Sequence, residues 1–286
     1  MANNLISEQK GAEPKLPSGK GIRIDVVIPA IDKDLDTLPY VIDSVRKYVA
    51  HPIGRIYVVA PDSNRIKDVC MRKDCTFIHE ARVLPIRKHH IVYHSKRWER
   101  SGWLYQQLLK LGSSSFVGQR YYLVMDADTI LIRPHRFLAN GKQTFYCRSW
   151  SQPEYFVTYR KLMGKRAARP RSFVTHYMMF DKTKLKTLKD NIENRHGKIW
   201  YKAIIGSINR TKQFGFSEYE TYGNYVYSGG SNQVLLKSAQ NKSLSNSPAK
   251  LSESNIKKLA QKYRSLSFHK RKGYVRGVEN NEDGHL

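Results

Sequence analysis

The 286-residue chain has no apolar run approaching the roughly 18 residues of a membrane-spanning helix, and its N-terminus has no apolar signal core. It is therefore expected in the cytoplasm, with peripheral contact at the inner face of the plasma membrane as the membrane role left open. Cysteine is scarce. Cys70, Cys75 and Cys147 have no second cysteine pair, and no zinc set is completed around them, so no structural zinc site and no disulfide framework are expected. Internal repeats are absent. Acidic residues are few, 24 against 50 Lys and Arg, which leaves a net charge of +26. Residues 151–286 hold 26 Lys and Arg against 10 Asp and Glu, a net of +16, and residues 1–150 supply the other +10. This surplus exceeds what one bound nucleotide needs. An anionic phospholipid surface, a lipid-linked phosphate acceptor or RNA would each account for it, and charge alone does not choose among them.

What the chain does have is enough apolar residue, 40%, with 18 tyrosines, for one large core. The simplest organisation is a single α/β domain with tails. Residues 1–20 are polar and aperiodic, and a disordered tail is expected there. Ile22 to Ile28 reads as a first strand closed by Pro29. The acidic loop Asp32–Asp36 follows, and then a helix with Val41, Ile42, Val45, Tyr48 and Val49 on one face. Further strands are expected at Ile56–Ala60, Thr76–His79 and His90–Tyr93, and a helix at Trp103–Leu111. In the second half, Gln143–Cys147 and Thr175–Phe180 read as strands separated by a basic, exposed loop around Tyr159–Arg171. Helices follow at about 182–195 and 198–207. Residues 226–251, rich in Ser, Asn and Gly, read as a flexible loop, and a last helix carries Ile256, Leu259, Ala260 and Tyr263.

The most informative segment runs from Tyr121 to Ile132. Its first apolar run, Tyr121–Met125, does not alternate with polar residues, as in a strand buried on both faces of a sheet. Asp126 and Asp128 follow, one residue apart and on the same side of an extended chain. Desolvated charge is costly without a partner, and a divalent cation carrying a diphosphate is such a partner. The same pair also fits a plain turn with two solvated aspartates. The order of elements favours the cation, because open α/β sheets bind ligands beyond the carboxyl ends of their strands. Pro29, Asp62 and Asp126 all fall there.

Other residues could join this chemistry. Ser217 and Glu220 have the spacing of a capping box. Glu218 is not needed for that cap and would project from the first helical turn, where a general base can meet a substrate hydroxyl; the helix dipole alone would also favour a carboxylate there. His176, near the start of an apolar strand, fits a core histidine as well as a site residue. His269, Lys270 and Arg271 read by default as a basic tail, yet could close over a bound diphosphate. Arg100, Trp103 and Gln106 combine a guanidinium, an aromatic face and an amide that could read a base, ribose or sugar, and Trp103 could equally be core.

Taken together, Asp25-Val26-Val27-Ile28-Pro29-Ala30, Gly102–Leu111, Met125-Asp126-Ala127-Asp128, Thr175-His176-Tyr177-Met178 and Ser217–Asn224 resemble the nucleotide-diphospho-sugar glycosyltransferases of the GT-A fold. The likeness is nearest to a bacterial family of such proteins without a firmly assigned activity. It covers roughly residues 22 to 275, and its specificity lies in the order and spacing of the stretches. It implies a Rossmann-like mixed sheet flanked by helices, in a domain spanning 21–275. A nucleotide-binding half of about 21–135 would precede an acceptor half of about 136–275, with a flexible basic C-terminal segment and a tail at 276–286. It further implies Mn²⁺ or Mg²⁺ on Asp126, Asp128 and His269, a UDP-sugar as the first donor to test, and the loop after the first strand and Asp62 beside the nucleobase. Glu218 would be the base of an inverting transfer, and His176 and Glu220 would lie near the acceptor. The acceptor would be a polyanionic or lipid-linked glycan of the cell envelope. Two rivals stand beside this reading: a nucleic-acid-binding protein using the basic second half, for which no nucleic-acid motif is found, and a nucleotidyltransferase. The latter would bring a Gly-rich phosphate loop, which Pro29-Ala30-Ile31-Asp32 is not.

Overall fold

The computed structural model describes residues 21–269. In chain order the first half contains β1 (Ile24–Pro29), α1 (Leu38–Tyr48), β2 (Ile53–Ala60), α2 (Asn64–Arg72), β3 (Thr76–His79), a two-residue ladder β4 (His94–Ser95) and β5 (Trp98–Glu99), α3 (Ser101–Gly112), β6 (Tyr121–Met125) and β7 (Thr129–Leu131). The second half contains β8 (Leu138–Ala139), β9 (Lys142–Cys147), α4 (Pro153–Met163), β10 (Tyr177–Asp181), α5 (Lys182–His196), α6 (Trp200–Ser207), α7 (Glu218–Gly229), β11 (Val234–Ser238), β12 (Asn241–Ser243), α8 (Glu253–Ala260) and β13 (Ser265–Ser267).

The central sheet has the order β10-β6-β1-β2-β3, in which β6, β1, β2 and β3 are parallel and β10 runs antiparallel to β6. Side chains alternate between its two faces. Val27, Tyr57, Val59, Tyr122, Val124, Met178 and Phe180 pack under α3 and α5 to α7. Val26, Ile28, Val58, Leu123, Met125 and Met179 pack on the other side with Val41, Ile42 and Val45 of α1 and Ile66 and Val69 of α2. Residues Tyr122 to Met125 are completely buried, which is why that strand reads as an unbroken apolar run. The α/β expectation of one mixed sheet with helices on both faces is met.

Several local expectations are corrected. Ile91 and Tyr93 are buried and Val92 is 56% exposed, an alternation that looks like a strand. Yet the Tyr93 backbone is taken by the Ser101 hydroxyl and the Arg100 amide, so no strand forms at His90–Tyr93. Tyr159-Arg160-Lys161 belong to α4, with Pro153 in its first turn and Gly164 closing it at φ +70°, where glycine escapes the steric cost of a Cβ. α2 does not stand out in the sequence because its buried stripe is only Ile66, Val69 and Cys70 among polar residues. Residues 226–251 hold the end of α7, β11 paired parallel with β9, and β12 paired parallel with β13. A ladder needs backbone groups rather than apolar side chains, so a Ser- and Asn-rich segment can supply strands.

Candidate active site

The strand order reverses between β1 and β6: β2 and β3 lie on one side of β1, and β6 lies on the other. A crevice therefore opens past their carboxyl ends. Asp126 and Asp128 stand there. Two antiparallel neighbours bring histidines to them. Tyr177 pairs with Met125, so the next position out sets His176 against Asp126, and the Asp126 amide donates to the His176 carbonyl at 2.8 Å. On the other side Ser267 pairs with Thr129, and the Phe268 amide donates to the Asp128 carbonyl at 2.8 Å. His269 follows. Its Nδ1 lies 2.8 Å from Asp128 Oδ2, and His176 Nδ1 lies 3.2 Å from Asp126 Oδ2. The two imidazoles are 5.1 Å apart.

A buried lysine ties this rim to α7. Lys110 Nζ donates to Asp126 Oδ1 at 2.6 Å and to Glu218 Oε1 at 2.8 Å, and Tyr219 OH donates to Asp126 Oδ1 at 3.4 Å. The apolar face of α3 (Leu104, Leu108, Leu111) locks the helix to the core, while Gln107 and Lys110, also buried, turn toward α7. Gln107 accepts the Glu218 amide at 3.2 Å. Burial by itself would pull the Lys110 pKa down, but the Asp126 and Glu218 carboxylates outweigh it and hold the ammonium well above the usual lysine range. Burial pushes Asp126 upward, yet Lys110 and His176 keep it below the ordinary carboxylate range. Asp128, pressed up by burial, is likewise held low by His269. Glu218 is raised by burial, with Lys110 opposing. Asp34, in the loop after β1, is pushed up to about 6 by burial, with Asp128 and Asp126 adding to the shift.

Not every sequence-derived residue converges here. Glu218 does not project into the open. It is 2% exposed beneath Lys110, because the turn of α7 that carries it packs on α3. The capping box is half-formed: Ser217 Oγ accepts the Glu220 amide at 3.2 Å. The Glu220 carboxylate turns instead to the Ser151 and Ser172 hydroxyls and the Asn224 amide, and so forms a buried cross-link. Arg100 caps α3, and its guanidinium lies over the rings of Trp103 (5.2 Å) and Phe214 (4.6 Å). That stack begins about 10 Å along the helix from Lys110, at 1.5 Å of rise per residue. Gln106 is half-buried, and the amide that reaches Glu218 belongs to its neighbour Gln107. Pro29 ends β1 and Asp62 stands past β2, where it pairs with Lys67 on the surface. Lys270 and Arg271 lie outside the described residues. Sequence reasoning misses Lys110, Gln107 and Asp34; the available signal is a lysine set between Leu109 and Leu111 on a helix face that should be apolar.

The donor set fits a divalent cation. One ligand atom each from Asp126, Asp128 and His176 lies within 4.8 Å of the others, and all three residues are half-buried. Three carboxylates (Asp126, Asp128, Glu218) against one ammonium leave two negative charges, before Asp34 is counted. Two carboxylates with an imidazole suit Mn²⁺ better than the all-oxygen preference of Mg²⁺.

These features define an α/β protein with an acid- and histidine-lined crevice at the switch point of its sheet. Residues 22–272 match a protein family of unknown function, DUF6492, and the chain belongs to it. No curated protein matches. Among solved structures, glucosyl-3-phosphoglycerate synthase from Mycobacterium tuberculosis, determined with Mn²⁺, UDP and glucosyl-3-phosphoglycerate, is similar at 12% identity over 77% of this chain and 70% of that one, with a TM-score of 0.42. The galactosyltransferase LgtC, with donor and acceptor sugar analogues, is 13% identical over 86% of this chain and 87% of that one, TM-score 0.44. The bifunctional glycosyltransferase WbbM is 12% identical over 90% of this chain and 47% of its own length, TM-score 0.47. At these identities and TM-scores none of the three likenesses bears on the chemistry of this chain.

Proposed function

We propose that the protein is a metal-dependent glycosyltransferase of the GT-A kind, moving a sugar from a nucleoside-diphosphate donor to an acceptor hydroxyl. The observation that carries this reading is the Asp126–Asp128–His176 cluster at the switch point of a parallel-rich sheet. Asp126, Asp128 and His176 would hold Mn²⁺ or Mg²⁺, whose contribution when bound is to neutralise the leaving diphosphate as a Lewis acid. His269 orients the Asp128 carboxylate through its 2.8 Å contact. Lys110 keeps Asp126 ionised and aimed. Glu218 receives the acceptor's proton in an inverting transfer. Burial raises its affinity for a proton, and Lys110 must release it before a substrate can reach the oxygen. UDP-sugars are the first donors to test. The positive surface supports a polyanionic or lipid-linked glycan acceptor at the cytoplasmic side of the cell envelope.

The test is direct. Purified protein with Mn²⁺ should be stabilised against heat by UDP and should slowly hydrolyse at least one UDP-sugar, and Asp128→Ala should lower that turnover on the order of a hundredfold or more. Undiminished turnover in Asp128→Ala would remove the metal from the reaction. No shift with any nucleoside diphosphate would remove the donor.

A further inference from the structure

α4 is two-sided. Tyr155, Thr158, Tyr159 and Leu162 are buried, while Pro153, Val157, Arg160, Lys161 and Gly164 face outward. The stretch from Arg148 to Arg171 carries seven Lys and Arg, all exposed, against a single acid, Glu154. Large apolar side chains stand out among these cations: Trp150 is 55% exposed and Val157 is 45% exposed. Three of these cations are held by the fold. The Arg148 guanidinium lies 5.3 Å over the Trp150 ring, that of Arg169 lies 4.0 Å over Phe156, and Lys161 Nζ donates to the Ser207 carbonyl at 3.3 Å.

We infer that this outer face of α4, with the Trp150 loop beside it, docks on an anionic phospholipid bilayer. A purely cationic face would satisfy any polyanion. Val157, however, has no π-face for a nucleobase to stack on, and an exposed Trp and an exposed aliphatic residue in one stretch with Lys and Arg make the composition that enters the boundary between headgroups and acyl chains. Basic side chains suit this boundary doubly, since their methylene stems lie along apolar matter while their charges stay with the phosphates. The site lies close by in the fold. Ser151, next to Trp150, donates to the Glu220 carboxylate at 2.8 Å, and Glu220 sits two residues from Glu218 on α7. A bilayer under α4 would therefore lie beside the helix that carries Glu218, as a lipid-linked acceptor requires. This purpose rests on the proposed transfer reaction, whereas the docking itself does not.

The experiment is co-sedimentation of the full chain with vesicles of phosphatidylglycerol and phosphatidylcholine in equal parts, and with phosphatidylcholine alone. Binding should require phosphatidylglycerol and fall as salt rises. Removing three cations of the face (Arg160→Gln, Lys165→Gln, Arg166→Gln) should weaken partitioning roughly a hundredfold, from about one kcal/mol for each charge at the surface. The same number of charges removed from the region around α8, which packs against the other side of the sheet (Lys250→Gln, Lys257→Gln, Lys258→Gln), should change it severalfold at most. All six residues are exposed, so both variants should keep the wild-type melting temperature. Asp128→Ala, inactive or not, should bind vesicles as the wild type does, which separates failure of docking from failure of the enzymatic reading. Absence of binding to phosphatidylglycerol vesicles, equal losses in the two triple variants, or displacement of the protein from vesicles by poly(U) would each overturn the inference.

Discussion

The two ends of the central sheet treat their carboxylates differently. At the amino end, Asp25 is 2% exposed and accepts three backbone N–H groups, from Arg55 (2.9 Å), Gly118 (2.8 Å) and Gln119 (3.0 Å). Asp181, also buried there, caps α5 through the Thr183 amide at 2.9 Å and pairs with Arg120 at 2.9 Å. At the carboxyl end, the Asp126 and Asp128 side chains are 22% and 28% exposed, and their partners are the side chains of Lys110, His176 and His269. Backbone donors are fixed by the fold and cannot leave. Side chains can rotate away when a cation arrives. One end uses acids to join loops, and the other keeps acids in a state that can be exchanged.

Crossing the two ends tests that contrast. Asp25→Ala strands three part-buried N–H groups, each of which costs up to roughly 1–3 kcal/mol when left without an acceptor. Urea unfolding should show a loss of about 4 kcal/mol, while calorimetry on the folded protein should find Mn²⁺ affinity unchanged. Asp126→Asn should do the reverse, weakening Mn²⁺ on the order of a hundredfold with a smaller loss of stability, because Lys110 keeps Glu218. Equal Mn²⁺ affinity in the two variants would erase the distinction between the ends.

Asp34 sharpens the contrast through pH. It is buried beside the rim, and its carboxyl is raised from 3.8 to about 6. The folded state therefore holds this proton more tightly than the unfolded one. The stability it supplies is complete below the unfolded value of 3.8 and is lost as pH rises through about 6. A carboxyl held that far above its unfolded value corresponds to about 3 kcal/mol. In metal-free protein, Asp34→Asn should match the wild type near pH 4 (about the unfolded value) and exceed it by about 3 kcal/mol near pH 8, above both values. A difference that does not grow with pH would mean that the carboxylate is hydrated when charged. If Mn²⁺ binds at the rim, adding it should shrink the variant's advantage.

How much of this was legible in the sequence varies by element. The β6 strand and its two aspartates could be read because burial on both faces leaves an unbroken apolar run, and because acids at its end require an explanation. α1, α3, α5 and α8 could be read from their stripes. The histidines were individually visible but not their partners, since pairing of His176 with Asp126 depends on the register of β10 on β6, a contact between chain segments 50 residues apart. Lys110 was hidden by its surroundings: amid leucines it looked like one more position on an apolar helix, and only the packing of α7 on α3 reveals its two carboxylates. β12 could not be read because Asn241-Lys242-Ser243 pairs through its main chain alone, and the short apolar start of β11, Val234-Leu235-Leu236, was hidden by the Ser, Asn and Gly around it.

Ser217 offers the finest test of whether α7 is held at its end or by its packing. Its hydroxyl accepts the Glu220 amide, which is one of four N–H groups that a helix start leaves without a partner. Ser217→Ala should cost about 1 kcal/mol, the usual worth of such a cap. The helix has further anchors in Gln107 on the Glu218 amide, Lys110 on the Glu218 carboxylate, and the Ser151 and Ser172 hydroxyls on Glu220. If these hold the first turn, the variant should lose stability in urea yet keep its Mn²⁺ affinity and its UDP-sugar turnover, because Lys110 is still fixed between Asp126 and Glu218. A loss of turnover larger than the loss of stability would show that the cap positions Glu218, and the carboxyl-end rim would then depend on a backbone device of the kind used at the amino end.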